Sequence, residues 1–168
     1  MNAVESYAAN VNPQFVRVLR TIGFDRTWVR GEGAHLIDDG GNRYLDLVGG
    51  YGMFNVGRSN ARVKAALQQA LADDLPIAPQ LGVSPYAGKL AGELLARLPA
   101  SLGRVVFTCS GTESIEAALK FARAATGRPR VLSAEHAFHG LTYGSLFANG
   151  CPEFTDDFDE LLPNFTHI

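Results

Sequence analysis

Between Arg104 and Gly140 the hydrophobic period changes twice, and that stretch limits what the chain can fold into more than any other. Arg104 to Thr108 is a β-branched and aromatic run without helical period, which predicts a buried strand. Ser110 and Gly111 break it. From Thr112 the apolar residues Ile115, Ala118, Leu119 and Ala122 fall at i, i+3, i+4 and i+7, the stripe of an amphipathic helix. Glu113, Glu116, Lys120 and Arg123 make its wet face. Gly127 suits the left-handed position after a helix, and Pro129 prevents continuation. Arg130 to Ser133 then predicts a second, parallel strand, so that strand, helix and strand form one α/β unit.

The start of that helix is written in detail. Ser110 with Glu113 three residues on fits a capping box, and several backbone N–H groups are left at the positive end of the dipole. An anion could sit there, with Gly111 allowing close approach and Ser110 and Thr112 adding hydroxyl donors. The pattern is neither a P-loop, which ends in Gly-Lys-Ser/Thr, nor a dinucleotide fingerprint of three spaced glycines. It is not a nucleophile elbow either, because Thr108 and Thr112 stand where that motif needs glycines. An ordinary well-capped helix remains the alternative at this level. His136 and His139 stand three apart, but no third ligand cluster accompanies them, so they make no metal site. His35 and His167 read as surface residues.

Taken in order, Cys109-Ser110-Gly111-Thr112-Glu113-Ser114-Ile115-Glu116-Ala117-Ala118-Leu119-Lys120, Thr126-Gly127-Arg128-Pro129 and Ala137-Phe138-His139-Gly140-Leu141-Thr142 closely resemble the class III aminotransferases. The resemblance implies a pyridoxal-phosphate (PLP) enzyme of fold type I. By that resemblance Ser110, Gly111 and Thr112 hold the cofactor phosphate, and Phe138 stacks on the pyridine ring with His139 beside it. More loosely it extends from about Arg30 to the end of the chain. Trp28 to Gly33 with Tyr44 to Leu47 looks like the hairpin that begins the family's small domain. The next segment, Gly49 to Gly57, lines the substrate end in the family, which makes Tyr51 a candidate substrate contact. Gly57-Arg58-Ser59-Asn60-Ala61 departs from the Gly-His and His-Pro of many relatives, and leaves the substrate open.

PLP chemistry also needs a lysine that bonds the cofactor and shuttles the proton, and an acid that keeps the pyridine nitrogen protonated. Lys64, Lys89 and Lys120 are the only lysines, all on amphipathic helix faces, and Lys120 has Glu116 one turn before it. In the family the lysine and the acid follow the matched region. The resemblance therefore implies the N-terminal portion of a longer enzyme, stopping at Leu162-Pro163-Asn164-Phe165 within the large domain, with the bonding lysine beyond Ile168. Residues 1–58 are expected to form an arm and small-domain hairpin, and residues 59–168 the beginning of the large PLP-binding α/β domain. The implied activity moves an amino group from an amine or amino acid to a keto acid or aldehyde, in a homodimer. An aminomutase of the same family, or a noncatalytic domain that binds a phosphate-bearing ligand, are the alternatives.

Composition narrows the setting. With 46% hydrophobic and 19% charged residues and a formal charge of −2, the chain is ordinary for a soluble globular protein and has no basic cluster for nucleic acid. Cys109 and Cys151 make neither a disulfide framework nor a metal spacing, so a reducing, cytoplasmic setting is expected. Met1 to Asn12 has no signal-peptide pattern, and no run is long enough for a membrane span. Residues 1–24 read as an arm with one helix. Ala34 to Asp38 and Arg43 to Leu47 read as strands around Asp39-Gly40-Gly41-Asn42, whose glycines supply positive φ. Ser59 is expected to cap a helix through Val63, Ala66, Leu67 and Ala70, ended by Asp73, Asp74 and Pro76. A loop then leads to Leu81. Ser84 and Pro85 open another helix with Leu90, Leu94 and Leu95 on its buried side, closed by Pro99.

Overall fold

A computed structural model describes residues 2–76, 81–158 and 164–168. The chain divides into two compact units, Met1–Ile77 and Ala78–Ile168. The first thus takes in the helix after Asn60, whereas the sequence draws its line at 58/59. The expected loop up to Leu81 and the Leu162–Pro163 stretch lie outside the described residues.

The N-terminal arm holds two helices, α1 (Ala3–Asn10) and α2 (Pro13–Thr21), where one was expected. Asparagine caps account for the difference. The Asn2 side chain accepts from the Glu5 amide and Glu5 returns to the Asn2 amide, while Asn12 caps the Phe15 amide with Pro13 in the first turn. Val16, 2% exposed, is the buried residue of this pair. Strands β1 (Trp28–Glu32), β2 (His35–Asp38) and β3 (Arg43–Leu45) follow as an antiparallel sheet in that order. Leu36 lies opposite Tyr44, and the turn needs positive φ at Gly41 (+80°) but not at Gly40. Buried Asp38 closes it by accepting from the backbone and side-chain nitrogens of Asn42 and from the Tyr44 hydroxyl.

Helix α3 (Ala61–Ala72) is capped by Asn60 rather than Ser59. Ser59 sits at φ +52°, outside the extended backbone a cap requires, whereas Asn60 Oδ1 accepts from the amides of Arg62 and Val63. In the second unit α4 (Pro85–Leu95) is capped by Ser84 as expected. Its buried stripe is not realised: Leu90 and Leu94 are 51% and 40% exposed, and only Leu95 is half-buried.

Helix α5 (Gly111–Thr126) runs from the Ser110 cap to Gly127 at φ +66°. After it come β4 (Val131–Ser133), the short α6 (Tyr143–Phe147), α7 (Pro152–Thr155) and β5 (Phe165–His167). β4 and β5 are parallel, pairing Val131 with Phe165 and Ser133 with His167. The expected buried strand at Arg104 to Thr108 does not form: Val106 and Phe107 are 59% and 45% exposed. A strand exists only through its ladder, and among the described residues no neighbouring strand pairs with this run. The core of this unit gathers on α6, where Leu146 and Phe147 are buried with Ala148, Ser145 and Asn149. Among the described residues no helix is long and apolar enough to cross a membrane.

Candidate cofactor site

Ser110 leaves extended backbone (φ −151°, ψ 162°) to begin the 16 residues of α5, and its Oγ accepts from the Glu113 amide at 3.3 Å. The Glu113 carboxylate returns to the Cys109 amide at 2.7 Å, one residue earlier than a standard capping box places it. Gly111 and Thr112 carry two of the first-turn N–H groups that have no acceptor inside a helix. A Cβ built at Gly111 would meet nothing within 4 Å, so there is open space beside those amides. Space, free amides and the positive end of a long helix suit a phosphate.

The second motif lies against the first. Gly140, at φ +114°, has no room for a Cβ, which would overlap the side chain of Thr112. Two residues before it, Phe138 is 60% exposed, and its ring touches Phe154 edge-on at 5.4 Å between centroids. It is therefore not buried within this unit, and its ring is accessible for stacking. Buried Asn149, 1% exposed, fixes this loop by accepting from the His139 amide and donating to the Gly140 carbonyl at 2.8 Å. The structure thus brings Ser110, Gly111 and Thr112 into one neighbourhood with the loop carrying Phe138 and His139.

Glu116 was assigned to the wet face of α5, but it is half-buried. Its Oε1 accepts from the Thr142 hydroxyl at 2.7 Å and from the amides of Gly144 and Ser145 at 2.7 and 3.2 Å. Burial pushes this carboxyl up, yet the Thr142 hydroxyl and the Ser145 and Gly144 amides, with Lys120 nearby, hold it below its ordinary value. Thr112 Oγ1 in turn contacts Thr142 Oγ1 at 2.7 Å and also Ser145 Oγ. The Thr112 hydroxyl, read from sequence as a donor to an anion, is engaged on the other side. Sequence reasoning missed Glu116, Ser145 and Asn149. Helical period sorts residues by face but does not reveal what later folds onto that face.

In the first unit, Tyr51 sits at φ +54° with 96% of its surface exposed. The turn that presents it is pinned from behind. Asp46 accepts from the Gly49 and Val48 amides and from Arg58 Nε at 2.8 Å, and the Arg58 guanidinium lies 4.0 Å over the Phe54 ring. The Gly49 amide first, then Arg58, lower the Asp46 carboxyl below its ordinary value. Arg58 is therefore a structural clamp, and backbone bonds to Gly33 in both directions tie it to the sheet. Lys64, Lys89 and Lys120 are all exposed on their helices.

Glycine turn, long capped helix and apposed aromatic loop together make a site suited to an anionic cofactor within an α/β unit. The Aminotransferase class-III family model matches residues 21–168, and the chain belongs to that family. It is 43% identical to a putrescine aminotransferase of Pectobacterium atrosepticum over 94% of this chain and 35% of that protein. Among solved structures, a thermostable (S)-enantioselective omega-transaminase from Thermomicrobium roseum is 32% identical with a TM-score of 0.85, covering 100% of this chain and 40% of that one. An amine transaminase from an uncultivated Pseudomonas species, in PLP-bound form, is 30% identical with a TM-score of 0.77 over 85% of this chain and 34% of that one. The chain spans about a third of the length of the curated relative it matches. The α/β, fold type I expectation holds.

Proposed function

We propose that the complete protein is a PLP-dependent aminotransferase, transferring an amino group from an amine or amino acid to a keto acid or aldehyde. One observation carries this: the Ser110-Gly111-Thr112 turn opens a 16-residue helix with empty space beside Gly111, and Gly140 of the Phe138 loop packs directly on Thr112. The Gly111 and Thr112 amides and the Ser110 hydroxyl would hold the cofactor phosphate, and Phe138 would lie against one ring face with His139 at its edge. When bound, PLP supplies the electron sink for breaking a bond at the amino-bearing carbon. The residues of this chain orient it, so that the reacting bond presents along one direction.

A terminal diamine is the first donor to test, because the relative sharing 43% identity is named a putrescine aminotransferase. Tyr51, exposed on its pinned turn, is our candidate for contact with substrate. We place the enzyme in the cytoplasm, which the two free cysteines support, and, as the family resemblance implies, in a homodimer.

The complete holoenzyme, incubated with nitrogen-15 putrescine and an unlabelled 2-oxo acid, should elute as a dimer and deliver label to the new amino acid. Tyr51→Ala should raise the KM for amine more than it lowers kcat. Label that only changes position within one skeleton would replace transfer by internal rearrangement, and no label movement with any amine would end the enzyme reading.

A further inference from the structure

The hydroxyl chain at Thr112 has a direction, and Glu116 sets it. Thr142 owns one hydroxyl proton, and an ionised carboxylate only accepts, so that proton goes to Glu116 Oε1. Thr142 Oγ1 is then left as an acceptor toward Thr112, whose own single proton points at it. The Ser145 hydroxyl lies within hydrogen-bond distance of the Thr142 carbonyl at 3.0 Å and of both threonine hydroxyls. The same carboxylate holds the Gly144 and Ser145 amides, and Gly144 lacks a Cβ where Glu116 sits: a methyl group there would overlap the carboxylate. One side chain on the second turn of α5 thereby ties its first turn to the segment that follows the Phe138 loop.

We propose that Glu116 is a positioning residue for the anion cradle: it turns the Thr112 hydroxyl toward α6 and locks the Gly111 and Thr112 amides against the loop carrying Phe138. This rests on reading the start of α5 as the phosphate site. At Thr112 the phosphate is then met by the backbone amide, and the hydroxyl serves as a bracket. The low carboxyl pKa fits, since the bracket needs the ionised form.

The test uses the complete apoenzyme titrated calorimetrically with inorganic phosphate, and the phosphorus-31 resonance of the holoenzyme. E116Q and T142V should each weaken phosphate binding about tenfold, the weight of roughly one charge-assisted hydrogen bond. The double variant should be no worse than either single, because both interrupt one chain. T142S keeps the hydroxyl and should restore parental affinity, with the phosphorus resonance shifted in E116Q and T142V but not in T142S. Parental affinity and resonance in folded E116Q and T142V would overturn the role of Glu116. T112E separates the two readings: loss of phosphate in T112E alone leaves the cradle in place and removes Glu116 from it, whereas phosphate retained in T112E places the anion elsewhere.

Discussion

Gly140 is the residue at which the two motifs meet, and its lack of a side chain is required twice over. Its φ of +114° lies where L-residues are strained, and a Cβ would overlap Thr112 and come 3.1 Å from Ser145 Oγ. Gly140→Ala should cost about 1–3 kcal/mol of stability, because strain and overlap act together. Gly88 in α4 offers the contrast, since a Cβ there meets nothing within 4 Å. Gly88→Ala should stabilise by about 0.5–1 kcal/mol through helix propensity. Thermal melting of both variants of the complete enzyme checks the pair, and equal effects would show that the contact at Thr112 is loose. Sequence alone identified Gly140 only as part of a family motif, because nothing local to it reveals that Thr112 lies across from it.

At the scale of elements, the boundaries written by caps were the most legible. Ser84 with Pro85, and Ser110 with Gly127, stand where side-chain chemistry and φ preferences place them. Ser110→Ala should destabilise α5 by about 1 kcal/mol, and Ser110→Gly by only a few tenths, because both lose the Oγ bond to the Glu113 amide but glycine leaves that amide open to water where the alanine methyl shields it. Chemical denaturation with an unchanged slope would measure it, and an equal cost for the two variants would contradict a capping origin. Ser59 failed as a cap because two adjacent polar residues can each serve, and backbone conformation, set by the preceding turn, chose Asn60. Arg104 to Thr108 has strand composition, but a strand needs a partner that composition does not name.

Among the described residues, three carboxyls in the two units lie below their ordinary pKa. Asp38 is pushed up by burial and pulled down further by Asn42 and Tyr44, Asp46 is lowered by the Gly49 amide and Arg58, and Glu116 is lowered as described above. A depressed folded-state pKa means that the unfolded chain binds protons first as pH falls. The stability these groups contribute is complete above the ordinary carboxylate range and is lost as pH drops through their folded values. Melting temperature should therefore be level near neutrality and fall on acidification below that range. Asp46→Asn should lower the neutral plateau and flatten the acid slope. A slope unchanged in that variant would remove Asp46 from the acid response.

The sequence by itself determined the local vocabulary and the family: which residues cap helices, where Gly41 and Gly127 turn the chain, and that Ser110-Gly111-Thr112 and Phe138-His139-Gly140 belong together. Those follow from φ preferences, hydrogen-bonding side chains and order along the chain, all of which are local. Only the tertiary structure decided which faces are covered and which protons are spent. Leu90 and Leu94 stay exposed despite their helical period, Phe138 stays exposed despite its apolarity, and Glu116 turns in despite its charge. Burial depends on what another segment brings to a surface, and hydrogen-bond direction depends on counting donors and acceptors that distant segments supply.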